Sequence, residues 1–218
     1  MNSRQEELFK NIVAEHIESG KAVGSSFLVN KYNLDISSAT ARNDMAELEA
    51  QGLITQPHTS AGRIPSAKGY RYYIDNYLNK DIAIYEKDKK FIDKSASDLK
   101  QVVRAIAELA DSAVIFASSK DNVYYTGISN LLSQPEFADF ATIYNISEVV
   151  DHCDEIIPNI FDKITDLDIT IGKHNYFSPH CSSIFVKTNQ KLLGILSPIR
   201  MNYERNVALL NYAKQLIK

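Results

Sequence analysis

Apolar positions recur at helical spacing from the start of the chain. Leu8, Ile12, Val13, His16 and Ile17 follow the i, i+4, i+5, i+8, i+9 pattern of one buried face, which predicts a helix opening at Ser3 and ending at Gly20. After Lys21-Ala22-Val23-Gly24, Ser25 or Ser26 is placed to cap a short helix holding Phe27, Leu28 and Tyr32, and Asn33-Leu34-Asp35 supplies a turn. A third helix begins at Ser37 or Ser38, runs through Thr40, Arg42, Asn43, Met45 and Leu48 to Gln51, and stops at Gly52. At 100° per residue, Ala41, Met45 and Leu48 form one narrow apolar stripe, while Ala39 and Asn43, flanked by Thr40 and Arg42, lie opposite. Three short helices with a tight middle turn make a helix-turn-helix, and the short polar side chains at the start of the third suit entry into a major groove.

The pattern then changes period. Leu53-Ile54-Thr55-Gln56 reads as a strand, Pro57 to Gly62 as a loop of small residues, and Arg63-Ile64 as the returning strand before Pro65. Such a hairpin is a wing, small enough to enter a minor groove or lie on the backbone. From Ser66 a tyrosine-rich helix carries Lys68, Tyr70, Arg71, Tyr73, Ile74 and Tyr77. Residues 81 to 110 form a charged helical segment with Leu99, Val102, Val103, Ile106 and Leu109 on one face, read as a helical linker.

Beyond it the patterns become strand-like. Ala113 to Ala117 and Val123 to Tyr125 are separated by Lys120-Asp121-Asn122, a hairpin signal. Helical stretches follow near Ser129 to Leu132 and from Ile146 to Ile164, the latter interrupted by Pro158. Three more strands are expected at Ile169 to Gly172, Ser183 to Val186 and Leu192 to Leu196, the last two joined through Thr188-Asn189-Gln190, and Glu204 to Ile217 closes as a helix. Hairpin-length connections cannot join parallel strands, so one antiparallel sheet with packed helices is the economical α/β (α+β) arrangement.

Composition narrows the function. The chain has 218 residues, 44% of them hydrophobic, which suits two modest soluble domains. No apolar run approaches the roughly 20 residues of a membrane span, and the polar segment from Met1 to Lys10 is not a signal peptide, so a cytoplasmic location is expected. Cys153 and Cys181 are then expected to be reduced thiols. A formal charge of -3 argues against a protein coated in basic charge for unspecific nucleic-acid binding. Local distribution matters more: between Gly52 and Ile74, Arg63, Lys68 and Arg71 occur with no acidic residue.

The residues themselves resemble a known family. Ser37 to Glu49, Gly52-Leu53, Gln56 to Ser66 and Gly69 to Asp75 closely resemble the HrcA family of bacterial heat-inducible transcription repressors. The resemblance resumes at Gly127 to Phe137, Gly194 to Tyr203 and Val207 to Leu209. It implies a winged helix-turn-helix over residues 1–80 and, after the linker 81–110, a small GAF-like antiparallel sheet domain with packed helices over 111–218 serving regulation or dimerisation. It also implies a further inserted dimerising domain, an inverted-repeat operator upstream of chaperone operons, and a chaperonin that helps keep the repressor active. The stretch between Phe116 and Tyr124 is only a few residues long where family members usually carry a large segment, so the chain reads as a shortened form. Ala41 also replaces a larger aliphatic residue, and Lys21-Ala22 a common Glu-Pro, away from the reading face.

The expected function is sequence-specific repression of heat-shock genes by a homodimer on double-stranded DNA. Asn43 is suited to bidentate pairing with adenine, and Arg42 with guanine or a phosphate. Ser38 and Thr40 suit contacts near the helix start, while Thr59, Ser60, Arg63, Lys68 and Arg71 would hold the DNA backbone. Each has a structural alternative. Arg42 has Asp44, Glu47 and Glu49 as neighbours to pair with, Asn43 has plain solvent exposure as its alternative, Arg63 serves equally as a buttress of the wing, Lys68 as a solvated side chain, and the tyrosines from Tyr70 to Tyr77 as packing. His152-Cys153, His174 and His180-Cys181 match no compact ligand spacing, so neither metal nor cofactor is expected. Two other classes of function remain. A GAF-like domain that senses a small metabolite is one. An enzyme is the other, without a Gly-rich phosphate loop, a His-x-x-x-His pair or a Gly-x-Ser-x-Gly elbow to support it.

Overall fold

Asn2 opens the first helix through a reciprocal cap: its side chain accepts from the Gln5 N–H, and the Gln5 side chain accepts from the Asn2 N–H. The computed structural model describes residues 1–59, 61–138 and 152–217, which divide into two units, Met1–Leu78 and Asn79–Lys218.

In the first unit, helix α1 (Ser3–Ser19) ends at Gly20 in the left-handed conformation, as its pattern requires. Helices α2 (Ser25–Tyr32) and α3 (Ser38–Ala50) follow, with Asn33 turning between them at φ 48°. The cap of α2 is Gly24 rather than either serine; Ser25 is already helical and buried. Leu8, Phe9, Ile12 and Val13 of α1 share the core with Leu28, Ala41, Met45 and Leu48. The wing is shorter than expected: β1 (Ile54–Thr55) pairs with β2 (Ile64–Pro65), because Leu53 is still receiving the end of α3 through its N–H to the Leu48 carbonyl. A backbone bridge adds a third arm, with Val23 N–H to the Arg63 carbonyl at 2.9 Å and Arg63 N–H to the Val23 carbonyl at 2.8 Å. Gly62 makes this approach possible, since a Cβ there would sit 2.3 Å from the Val23 carbonyl. Helix α4 (Ala67–Tyr77) starts at the Ser66 cap and buries Tyr70 and Ile74; the Tyr70 hydroxyl meets His16 Nδ1 at 2.7 Å.

In the second unit, residues 81–110 contain two helices, α5 (Glu86–Asp93) and α6 (Leu99–Ala110). The strands are β3 (Ala113–Ser119), β4 (Asn122–Thr126), β5 (Leu167–Ile171), β6 (Cys181–Thr188) and β7 (Lys191–Pro198), in the order β4-β3-β7-β6-β5 with every pair antiparallel. The antiparallel sheet with packed helices is thus as expected. Lys120-Asp121 closes the β3–β4 hairpin, and Asn189-Gln190 turns β6 into β7 with both residues at positive φ, the twist-matched turn of a two-residue hairpin.

Both faces of the sheet are covered. Ala113, Ile115, Ala117, Cys181, Phe185, Leu192 and Leu196 share a cluster with Leu131 of α7 (Ile128–Leu132) and with Ile157, Ile160 and Phe161 of α8 (Cys153–Phe161). Side chains alternate across a strand, so Val114, Phe116, Ile184 and Ile195 face the other way, where α6 packs on β3, and α9 (Tyr203–Leu216) packs on β6 and β7. Pro158 lies inside α8 without breaking it, and the first part of the expected helix, residues 146–151, lies outside the described residues. Cys153 and Cys181 are buried in this cluster. Among the described residues, no three His, Cys, Asp or Glu side chains come together as metal ligands, and no helix is long and apolar enough to cross a membrane.

Candidate nucleic-acid interface

The start of α3 is set by Ser37. Its Oγ accepts from the Thr40 N–H at 3.0 Å and lies 2.9 Å from the Thr40 hydroxyl, so Thr40 is held in the cap as well as in the helix. Ala41, Asp44, Met45 and Leu48 are the buried face; Ala39, Arg42 and Asn43 are exposed.

The acidic neighbours of Arg42 are all otherwise engaged. Asp44, almost fully buried, takes a two-pronged contact from Arg4, with Nε to Oδ2 at 2.7 Å and Nη2 to Oδ1 at 2.9 Å. Glu47 accepts from the Gln5 side chain, and Glu49 from Arg63 Nε at 2.8 Å. Three carboxylates on α3 are thereby turned to α1 and the wing. Arg42 is left without an ion pair among the described residues.

The other expected contacts separate into groups. Arg42, Thr59 and Arg63 line one cleft of about 450 Å³ between α2, α3 and the wing. Gln56 lines it too and holds the loop closed, its amide donating to the Thr59 and Ala61 carbonyls at 2.9 Å each. Ser38 and Asn43 lie on α3 outside that lining. Lys68 is elsewhere: its ammonium donates to the Gln51 carbonyl at 2.7 Å, at the far end of α3, about 20 Å along the axis from Ser38. That carbonyl belongs to the negative end of the helix, where a cation is favoured. Arg71 lies on α4 with Asp75 one turn on at 3.6 Å. Ser60 lies outside the described residues. The cleft also recruits Ser25, Ser26 and Phe27, which the sequence reading assigned only to helix capping and packing; Phe27 is 47% exposed, an unusual place for a large apolar ring.

Comparison with known proteins bears on both units. Residues 73–207, more than half of the chain, match the family model described as HrcA protein C terminal domain. The chain belongs to the HrcA family. Residues 29–67 match a DeoR-like helix-turn-helix domain, which spans α3 and the wing of this family member. A relative from Natranaerobius thermophilus, named heat-inducible transcription repressor HrcA, is 37% identical over 118 residues, 51% of this chain and 34% of that protein. A relative of the same name from Thermoanaerobacter pseudethanolicus is 24% identical, with 97% of this chain and 94% of that protein covered. That alignment runs over 323 positions against the 218 residues of this chain, so the relative carries residues without a counterpart here. A solved structure described as "Crystal structure of a hypothetical protein at 2.2 A resolution" shares the fold, with a TM-score of 0.75 at 20% identity over 100% of this chain and 96% of that one.

Proposed function

We propose that this HrcA-family chain is a cytoplasmic, sequence-specific repressor of heat-shock genes that binds an inverted-repeat operator as a homodimer, with chaperonin as a further partner. The observation that carries it is the freed reading face of α3, on which Arg42 and Asn43 are exposed while Asp44, Glu47 and Glu49 are committed to partners elsewhere. In a DNA complex α3 enters the major groove with Asn43 against a base edge. Ser38 and Thr40 stand at the helix start, where backbone N–H groups and short hydroxyls favour phosphate. Thr59 and Ser60 follow the backbone from the wing, Arg63 holds the wing against α3, and Lys68 and Arg71 act at the periphery. One winged helix covers too little DNA for tight specific binding, so two copies on a two-fold symmetric site are required. The sheet unit is assigned to control and self-association.

Selection of genomic DNA by the purified protein tests this. The expected result is a two-fold symmetric sequence next to chaperone genes, with Asn43→Ala costing about 1 to 3 kcal/mol and relaxing preference at one position per half-site. Equal, weak affinity for every duplex at physiological salt would overturn it.

A further inference from the structure

Helix α5 is sorted by charge. Its three acids all turn toward α9: Asp88 takes two bonds from Arg205 at 2.9 and 3.0 Å, Asp93 accepts from the Tyr212 hydroxyl, and Glu86 adds its charge at the same hydroxyl. Lys89 goes with them, its ammonium 5.8 Å from the centre of the Tyr212 ring. Asp88 and Ile92 are the buried face. The remaining lysines lie apart from these groups. At 100° per residue Lys87, Lys90 and the C-cap residue Lys94 fall within an arc of about 60°, and all three are exposed.

A plain solvated helix face interleaves its charges. Here Glu86 and Lys90 stand in the i, i+4 order that pairs best on a helix, yet neither they nor Lys87 and Lys94 form an ion pair among the described residues. Nor does the helix dipole account for the stripe, because it favours a cation at Lys90 and Lys94 but opposes one at Lys87 in the first turn. Three positive charges therefore stand within about 10 Å of helix axis, in a chain whose formal charge is -3. Their place in the chain names the partner. Helix α5 opens eight residues after Leu78, the last residue of the winged-helix unit, so Glu86 lies within about 29 Å of Leu78 even at full extension, less than one turn of duplex. Whenever the first unit sits on DNA, a rail of phosphates is within reach of this stripe.

We propose that Lys87, Lys90 and Lys94 form a second DNA contact, gripping backbone phosphates next to the sequence read by the winged helix. The contact has no sequence preference of its own. It raises affinity and salt dependence, and it ties the sheet unit to the occupied duplex. The inference rests on the DNA-binding function above.

The triple variant Lys87→Gln, Lys90→Gln, Lys94→Gln of the full chain is the test. Gln has nearly the helix propensity of Lys, so the variant should melt with the parent. On long duplexes, with or without the selected operator, affinity should fall roughly tenfold or more, and the slope of log affinity against log salt should drop by about two to three per protomer. Preference among sequences should stay as in the parent. Lys163→Gln with Lys173→Gln removes two exposed lysines elsewhere in the same unit and should leave the slope unchanged, which separates contact from loss of net charge. A footprint on the parent needs no variant: duplex DNA should protect Lys87, Lys90 and Lys94 severalfold from acetylation by N-hydroxysuccinimide acetate, read by mass spectrometry, and leave Lys163 and Lys173 reactive. A triple variant with the parent's slope, or equal labelling of the three lysines with and without duplex, overturns the contact and leaves the stripe to an acidic protein surface. An operator-selective parent with a silent triple variant sinks the stripe alone, whereas a parent that discriminates no sequence, while the triple variant still lowers the slope, sinks operator reading and keeps the stripe.

Discussion

Arg63 Nε donates to Glu49 Oε2 at 2.8 Å, tying the base of the wing to the last turn of α3. The same residue pairs its backbone with Val23, so three segments meet at one position. The pair is partly exposed and worth up to about 1 kcal/mol of stability after solvent screening. Its larger effect is on how the wing is aimed. Glu49→Gln and Arg63→Ala are each expected to weaken operator binding severalfold, and the double variant no more than Arg63→Ala alone, as a cycle of binding measurements would show. If Glu49→Gln is silent while Arg63→Ala lowers the salt slope by one, Arg63 touches DNA directly.

Gly194 faces Phe185 across the β6–β7 pair, and a Cβ at Gly194 would lie 2.2 Å from that ring. Phe185 is fully buried and stacks on Phe177 at 6.0 Å, so the ring has nowhere to move. Gly194→Ala is therefore expected to cost about 2 to 3 kcal/mol in urea unfolding through overpacking. Adding Phe185→Leu should recover part of that loss. A neutral Gly194→Ala would mean that the sheet flexes to absorb a methyl group.

Arg205 grips Asp88 with two bonds, Nε to Oδ2 at 2.9 Å and Nη2 to Oδ1 at 3.0 Å, across 117 positions of sequence. Asp88 is 2% exposed, whereas the Arg205 side chain keeps about a third of its surface. Asp88→Ala strands the cation at the rim and is expected to destabilise the second unit by about 2 to 3 kcal/mol, below the value for a fully buried pair because Arg205 can reach water. Tyr212 donates to Asp93 in the same seam between α5 and α9. Loss of the α5 amide protection from hydrogen exchange in Asp88→Ala, with α6 unaffected, would locate the damage.

These relationships mark what the sequence reveals and where it stops. Residues 37–52 are legible because a serine cap, a narrow apolar stripe and a glycine stop act locally, and the hairpins are legible because their turns are short and polar. Arg42 is different. Whether it pairs with a neighbour on its own helix depends on Arg4, Gln5 and Arg63, which arrive from 38, 37 and 21 positions away. Ser25 reads as a cap because Ser and Thr usually are caps, yet the backbone places Gly24 there and turns Ser25 inward. The charged run at 81–94 shows no long apolar face, since α5 is fastened largely by polar contacts to α9, and those depend on the far end of the chain.

Burial pushes the Cys181 thiol up to about 12, with a hydrogen bond to Ser178 pulling weakly the other way. The folded chain therefore holds this proton more tightly than the unfolded chain, whose thiol titrates near 9. Stability from this site is fully present below about pH 9 and is lost as pH rises from there toward 12. Tyr212 titrates in the same direction, raised to about 12 chiefly by its bond to Asp93, so unfolding measured between pH 8.5 and 11 has to be compared across Cys181→Ala, Tyr212→Phe and the parent chain. Cys181→Ala should be less stable at pH 7, because it leaves a small cavity in the sheet core, but its stability should fall less steeply with pH. Consistent with a neutral, buried sulfur, alkylation of Cys181 by iodoacetamide at pH 8 should proceed no faster than the second unit opens, and should accelerate to the rate of a free thiol in urea. Rapid labelling of the native chain, or parallel pH profiles for parent and Cys181→Ala, would show that water reaches the sulfur and that the thiolate forms in place.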